Sequence, residues 1–207
     1  MSAPRCTGVI LAGGQATRYD GRAKGLEIVG STRIIDRVAA ALAEAADELL
    51  LIANTPEAES WLPGVRTAAD VLPGQGSLGG SHAALAHAKT SVLVVAWDMP
   101  FVPAELLSCL RALGARADAA VPESDSRRGL EPLCAWYSQA CLAPIERHLE
   151  AGDRRVVSFF DDVNVARLSA HDVRQFGDPE LLFMNVNTPD ELAKAEEHAA
   201  ADHGRRA

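Results

Sequence analysis

Apolar positions in the first half of the chain alternate between short continuous runs and three- or four-residue spacings. The run at residues 8–12, which stops at Gly13 and Gly14, predicts a buried strand entering a tight loop. Helical spacing at residues 34–45 predicts an amphipathic helix. The alternation then continues with a strand at 49–53, a helix at 81–88, a strand at 92–96 and a helix at 104–113.

The second half of the chain also contains apolar runs and segments with helical spacing. It predicts strands at 119–121 and 133–137, a helix at 141–150 and an edge strand at 163–168. A last helix is marked by Thr188 as N-cap, Pro189 at the first helical position and Glu191 completing a capping box. Residues 203–207 are expected to be a frayed tail.

Near-continuous apolar strands between helices favour one fold class. They predict an α/β, Rossmann-like fold with a mostly parallel, doubly wound sheet covered by helices on both faces, and an antiparallel portion late in the chain. The 207 residues suit a single domain, 1–207.

Composition excludes several classes of partner. The formal net charge of −8 disfavours nucleic acid, although local arginine pairs such as Arg154 and Arg155 suit a small phosphorylated ligand. Four cysteines without C-x-x-C or zinc-ligand spacing predict reduced, mostly buried thiols. No signal-peptide core and no run of 18 apolar residues are present, so we expect a cytoplasmic protein with no membrane partner.

The first strand is followed by a candidate phosphate loop. Gly13 and Gly14 allow close backbone approach, and backbone N–H groups there suit anionic oxygens, with Arg18 and Lys24 able to neutralise several phosphates. An ordinary glycine turn with two solvated cations is the alternative. A Walker loop is excluded because no Gly-Lys-Ser/Thr follows.

Other polar residues follow other strands. Asp98 ends the buried strand at 92–96, where a carboxylate is suited to hold Mg²⁺, although a helix-entry role is equally ordinary for Asp. Asn54 and Asp70 are placed to bind a base edge or a ribose, or to form turns.

The segment 74–79 matches G-x-G-x-x-G, with Asp98 about 20 residues later, as in dinucleotide-binding oxidoreductases. Pro73 directly before it and too few apolar residues upstream argue against that assignment. We expect instead a glycine-rich loop approaching a nucleotide bound elsewhere.

Two amides, Asn185 and Asn187, fall on one side of an extended segment before the last helix, where they suit a metal or a second substrate, unless Asn187 only shapes the helix entry. Arg154 and Arg155 are candidates for a second phosphate. No Ser/His/Asp triad context occurs, and His82 is interpreted as a helix-surface residue, like His87 and His148.

Taken together, these motifs resemble the molybdenum cofactor guanylyltransferase family. The matching stretches run across nearly the whole chain: Leu-Ala-Gly-Gly at 11–14, Arg18, Lys24-Gly-Leu, Asn54, Asp70, Gly-Ser-Leu-Gly-Gly at 76–80, Asp-Met-Pro-Phe at 98–101, Glu-Pro-Leu at 131–133, Arg-Arg-Val at 154–156 and Asn-Val-Asn-Thr-Pro at 185–189. Tyr19 and Asp20 depart from the family's usual Met-Gly, and Ser77 from its usual Pro.

The resemblance implies transfer of GMP from GTP to the terminal phosphate of molybdopterin, with Mg²⁺ as cofactor. Lys24, Arg18 and Asp98 would be catalytic, with Asp98 the metal ligand, and Asn185 and Asn187 would lie on the molybdopterin side. The nucleotide-binding pattern carries onto Leu11, Ala12, Gly13, Gly14, Lys24, Asn54, Asp70 and Asp98. It also implies brief contacts with other cofactor-biosynthesis proteins or apo-molybdoenzymes.

Alternatives remain at this point. Within the class they are a cytidylyltransferase for the same pterin or a sugar-phosphate nucleotidyltransferase; outside it, an NAD-dependent oxidoreductase or a non-catalytic nucleotide-binding module. Cytidylyl-transferring relatives carry Leu-Ala-Ala-Gly in the first loop, so Gly13 is expected to favour GTP over CTP.

Overall fold

Strands and helices alternate along the chain, as the hydrophobic pattern predicts. A computed structural model describes residues 5–13, 24–125 and 129–206. Its strands are β1 Cys6–Leu11, β2 Ile28–Val29, β3 Thr32–Arg33, β4 Glu48–Ile52, β5 Arg66–Ala68, β6 Ser91–Ala96, β7 Ala119–Pro122, β8 Cys134–Tyr137 and β9 Val165–Leu168. Its α-helices are α1 Ile34–Ala45, α2 Gly76–Ala88, α3 Ala104–Gly114, α4 Leu142–Glu150, α5 Ala170–Val173, α6 Pro179–Leu182 and α7 Pro189–Arg206.

The main sheet of the described residues has seven strands in the order β5-β4-β1-β6-β8-β7-β9. Strands β5, β4, β1 and β6 are parallel, β8 is antiparallel to both β6 and β7, and β9 pairs in parallel with β7. The predicted mostly parallel sheet, its late antiparallel portion and its last edge strand are therefore confirmed. Strands β2 and β3 form a separate small hairpin.

Alternate residues of the central strands supply two hydrophobic cores, one on each face of the sheet. On β1, Ile10 packs into the core with α1 and α3, whereas Val9 and Leu11 pack into the core with α2 and α4. Burial on both faces explains why these strands read as continuous apolar runs. The doubly wound arrangement is confirmed.

The structure differs from the sequence prediction at several places, among them the short helices α5 and α6, which were not predicted. Strand β5 was missed because Arg66, Thr67 and Ala68 carry no apolar run, and the two-residue strands of the hairpin are too short to leave a periodic signal. Helix α2 begins at Gly76, five residues before the predicted start, so the glycine-rich segment is partly its first turn. Helix α7 extends to Arg206 and so includes most of the predicted tail at 203–207.

The start of α7 follows the predicted cap with one change of partner. The Thr188 hydroxyl accepts a hydrogen bond from the Glu191 N–H at 3.2 Å. The Glu191 carboxylate accepts one from the Asn187 N–H at 2.7 Å, one residue before the expected donor. This bond fixes the backbone of Asn187 at the helix entrance.

Burial confirms one expectation about side chains and overturns another. The cysteines are free thiols, and Cys6, Cys134 and Cys141 are buried. His82 is not a surface residue: it is 3% exposed and its Nε2 lies 3.1 Å from a carboxylate oxygen of Glu146 on α4. Across the part of the chain that the structure describes, no helix is both long and apolar enough to cross a membrane.

Candidate active site

The carboxyl ends of the parallel strands are tied together by backbone hydrogen bonds just beyond the sheet. The Ala12 N–H donates to the Ile52 carbonyl at 2.9 Å, and the Trp97 N–H donates to the Leu11 carbonyl at 3.1 Å. Loops that leave β1, β4 and β6 therefore start from one rigid edge. In open α/β sheets this edge is where ligands bind.

A cleft of about 560 Å³ opens at this edge, a size typical of small-molecule sites. Its lining comes from the ends of β1 and β4, from the loop after β5 and from the start of α2: Leu11, Gly13, Ile52, Asn54, Asp70, Pro73, Gly74, Gly76, Ser77 and Gly80. Four of the sequence-predicted residues, Leu11, Gly13, Asn54 and Asp70, thus line one cavity.

The amino terminus of α2 forms one wall of this cleft. Gly74 and Gly76 have φ values of +76° and +63°, a region that favours glycine, and Gln75 provides no side-chain cap. The first N–H groups of a helix have no partner within the helix, and with the helix dipole they attract anions. The G-x-G-x-x-G segment at 74–79 follows β5, an outer strand of the sheet, whereas a dinucleotide-binding motif follows the central first strand. This position argues against a dinucleotide-binding unit.

Asn54 and Asp70 hold each other by two reciprocal hydrogen bonds. The Asn54 amide donates to Asp70 Oδ2 at 2.8 Å, and the Asp70 N–H donates to Asn54 Oδ1 at 2.8 Å. The other carboxylate oxygen, Asp70 Oδ1, is enclosed and has no partner within the described residues. Because enclosed polar atoms are nearly always hydrogen-bonded, this oxygen is suited to an N–H or O–H donor of a ligand.

Lys24, Asp98 and Asn187 converge from three distant parts of the chain. The Lys24 ammonium donates to Asp98 Oδ2 at 2.6 Å and to Asn187 Oδ1 at 2.5 Å. The Val186 N–H donates to the Asp98 carbonyl at 2.9 Å, which ties the segment before α7 to the end of β6. The side chain of Asp98 is only 9% exposed, and that of Lys24 is 22% exposed.

Asp98 Oδ2 and Asn187 Oδ1 already contact the Lys24 ammonium, so these two oxygens are also chemically suited to a divalent metal ion. Carboxylate and amide oxygens are ligands that Mg²⁺ accepts, and Mg²⁺ usually takes only one or two protein carboxylates beside substrate phosphates. Within the ranges that the structure covers, no group of three or more His, Cys, Asp or Glu side chains is placed to hold a metal. A metal shared between protein and substrate fits this donor set.

The remaining predicted residues fall outside this cluster. Gly14 and Arg18 lie outside the described residues. Asn185 is exposed and its amide donates to the Phe183 carbonyl at 2.9 Å, so it does not share the Lys24 contact of Asn187. Arg155 is exposed and pairs with Asp153 at 2.6 Å, and its guanidinium lowers the pKa of that carboxyl to about 2.

Sequence reasoning missed part of the cleft. Ser77 and Gly80 form part of the cleft wall and lie in or next to the G-x-G-x-x-G segment. The sequence marked this segment as a loop and did not predict that α2 begins at Gly76 and places both residues in its first turns. The contact between Lys24 and Asn187 had no local signal, because the two residues are 163 positions apart.

Comparison with known proteins shows which family the chain belongs to. The chain matches the MobA-like NTP transferase domain over residues 8–169. It is 40% identical to a probable molybdenum cofactor guanylyltransferase of Pelotomaculum thermopropionicum over 92% of both chains, and 36% identical to a molybdenum cofactor guanylyltransferase of Desulfosudis oleivorans over 96% of this chain and 97% of that one.

Solved structures give the same result. The crystal structure of molybdopterin-guanine dinucleotide biosynthesis protein A from Archaeoglobus fulgidus superposes with a TM-score of 0.78 at 29% identity, covering 94% of this chain and 99% of that one. The resemblance seen in the sequence is thereby confirmed. The chain belongs to the MobA-like NTP transferase family and is a nucleotidyltransferase.

Proposed function

We propose that this chain transfers GMP from GTP to the terminal phosphate of molybdopterin and releases pyrophosphate. The observation that carries the proposal is the convergence of Lys24, Asp98 and Asn187 beside a nucleotide-sized cleft. The names of relatives that align over almost the whole chain support the choice of nucleotide and acceptor.

In the proposed reaction, an oxygen of the molybdopterin phosphate attacks the α-phosphorus of GTP in line, and the bond to the β-phosphate oxygen breaks. Such a transfer requires positioning and charge neutralisation rather than a covalent intermediate. The Lys24 ammonium stabilises negative charge on the phosphates. The backbone at Gly13 and the amino terminus of α2 orient the nucleotide, and Asp70 Oδ1 accepts a hydrogen bond from it.

Asp98 and Asn187 would hold Mg²⁺ through the oxygens that now contact Lys24. The metal supplies a Lewis acid that neutralises charge on the phosphoryl oxygens of the transferring group. With Mg²⁺ held by these two oxygens, the Lys24 ammonium would be free to contact the triphosphate.

We place the acceptor on the side of the segment before α7. Phe183, four residues before Asn187, lines a second cleft of about 230 Å³ with Ser124, Pro179 and three carboxylates, those of Asp125, Glu131 and Glu180. Carboxylates accept hydrogen bonds, so this cleft suits the N–H groups of a pterin ring and not its phosphate. An extended segment of four residues spans about 13 Å, so an acceptor in this second cleft is within reach of the Lys24 site. Asn185 lies between the two ends.

The test is pyrophosphate release from GTP with and without purified molybdopterin. We expect release that depends on both molybdopterin and Mg²⁺ in the parent and is lost in Asp98→Asn, which keeps the side-chain shape. Turnover that is equally fast without molybdopterin, or binding of GTP without turnover in its presence, would contradict the proposal.

A further inference from the structure

The turn that carries Lys24 lies directly against a tryptophan ring. Residues Lys24–Leu26 form a single 3₁₀ turn, and its middle residue Gly25 is buried. A Cβ atom at Gly25 would lie 2.4 Å from Cε3 and 2.7 Å from Cδ2 of Trp97. Real Cβ atoms do not approach ring carbons this closely, so only glycine allows the turn to lie at this height over the ring.

The ring is itself held in place. Trp97 stacks on Trp61, with ring centroids 5.1 Å apart and planes 20° from parallel. Both tryptophans are buried: Trp97 is 5% exposed and Trp61 is 8% exposed. The Trp61 carbonyl accepts a hydrogen bond from Arg33 at 3.0 Å, and the backbone N–H of Trp97 donates to the Leu11 carbonyl at the end of β1 at 3.1 Å. The stacked rings therefore form a rigid surface against which the Lys24–Leu26 turn packs.

We propose that Gly25, Trp97 and Trp61 are positioning residues for Lys24. The stacked rings set the height of the turn, and the absence of a Cβ at position 25 lets Lys24 Nζ reach Asp98 and Asn187 at once. None of the three needs to touch the substrate. The kinetic consequence rests on the proposed function, whereas the placement of Lys24 does not.

Gly25→Ala is the direct perturbation. The added methyl must move the turn away from Trp97 by about 1 Å, and a displacement of that size costs on the order of 100-fold in rate when it moves a catalytic group such as the Lys24 ammonium away from the substrate atoms on which it acts. We expect a fall in kcat of about 10- to 100-fold with a smaller change in KM for GTP.

A matched control exists in the same chain. A Cβ at Gly114 would lie 2.3 Å from the Trp136 ring, an equally severe clash. Gly114 ends α3, whose last turn contacts the Ala45 carbonyl through Arg111, at the opposite edge of the sheet from the cleft. Gly114→Ala is therefore expected to lower the melting temperature at least as much as Gly25→Ala and to leave kcat within about twofold of the parent.

Lysine labelling provides a readout that does not depend on activity. The chain has three lysines, Lys24, Lys89 and Lys194, and the last two are exposed. In the parent, acylation of Lys24 by a water-soluble amine reagent is expected to be slower than that of Lys89 and Lys194. Gly25→Ala should raise the relative labelling of Lys24 severalfold, and Gly114→Ala should not.

Rescue completes the test. Trp97→Val removes both ring atoms that the methyl would meet and leaves the Trp97 carbonyl oxygen, 3.1 Å from the added Cβ, as the remaining close contact. The double variant Gly25→Ala/Trp97→Val should therefore recover part of the lost kcat. Trp97→Phe alone should retain most of the parent's kcat. Unchanged Lys24 labelling in a folded Gly25→Ala protein, or loss of kcat in Gly114→Ala equal to that in Gly25→Ala, would overturn the proposal. A parent without GTP turnover but with the predicted labelling pattern would instead overturn the proposed function alone.

Discussion

Replacing Lys24 by methionine should lower the stability of the folded protein and raise the affinity of the proposed metal site. Lys24 Nζ lies 2.6 Å from Asp98 Oδ2 and 2.5 Å from Asn187 Oδ1, so it occupies the place between the two oxygens that a metal would bind. Methionine has a similar length and no charge. The substitution leaves the Asp98 carboxylate without its cation, and it removes the competitor of the metal.

The size of the effect follows from the geometry. Coulomb's law at an effective dielectric constant of about 20 gives roughly 6 kcal/mol for unit charges 2.6 Å apart. Part of this energy is offset by hydration of Lys24, whose side chain is 22% exposed. A net gain of only about 1.4 kcal/mol for the metal already corresponds to a tenfold tighter Kd.

The assay is a titration with Mn²⁺ in the absence of nucleotide, following free Mn²⁺ by electron paramagnetic resonance. We expect Lys24→Met to bind Mn²⁺ at least tenfold more tightly than the parent and to have a lower melting temperature that Mn²⁺ raises again. Lys194→Met is the control, because it removes the same charge from an exposed position of α7. Equal or weaker Mn²⁺ binding by Lys24→Met would exclude competition between Lys24 and the metal for Asp98 and Asn187.

Other substitutions test other parts of the site. Asp98→Ala should abolish transfer without unfolding the protein, a loss of several kcal/mol of transition-state stabilisation that is checked by kcat at saturating Mg²⁺; activity within tenfold of the parent would contradict it. Gly13→Ala should lower the GTP-to-CTP ratio of kcat/KM, an effect of about 1 to 3 kcal/mol in relative transition-state free energy, because Gly13 lines the cleft and its added methyl takes up space where no described atom lies within 4 Å. An unchanged ratio would mean that the base is selected elsewhere. Asn185→Ala and Arg155→Ala should weaken molybdopterin binding and spare GTP binding, as measured by calorimetry, and equal losses for both ligands would contradict the division of the site. Burial raises the pKa of Cys6 from 9.0 to about 11, so its contribution to stability is complete below pH 9 and is lost as pH rises toward 11. Denaturant titrations should accordingly show the unfolding free energy of the parent falling by about 2 to 3 kcal/mol more than that of Cys6→Ala over this range; parallel curves would exclude the effect.

The sheet was predictable because its central strands are buried on both faces. Strands such as β6 then appear as unbroken apolar runs, and α1 and α3 show the spacing of helices with one buried side. Strand β5 was not predictable, since Arg66–Ala68 pairs only with β4 and holds its place by backbone hydrogen bonds. Backbone pairing leaves no mark in the side-chain pattern.

Some single residues of the candidate site could be selected from the sequence, but their arrangement could not. Asp98, Asn54 and Asp70 could be selected because each follows a strand, and the strands of a parallel sheet end at one edge. The pairing of Lys24 with Asn187, and the burial of His82 beside α4, depend on how distant segments pack. The role of Gly25 depends on a ring 72 positions later in the chain, and no local pattern carries that information.

In the proposed reaction, the α-phosphate of GTP moves to molybdopterin at the site of Lys24 and Asp98. The most direct measurement incubates the protein, Mg²⁺ and purified molybdopterin with GTP labelled at either the α- or the γ-phosphate, then follows the label into the pterin product. We expect label from the α-position in a molybdopterin-guanine dinucleotide and label from the γ-position only in pyrophosphate, and we expect no release of either label from GTP in Asp98→Asn. Transfer of the γ-label to molybdopterin, or no labelled pterin with GTP but efficient labelling with another nucleotide, would contradict it.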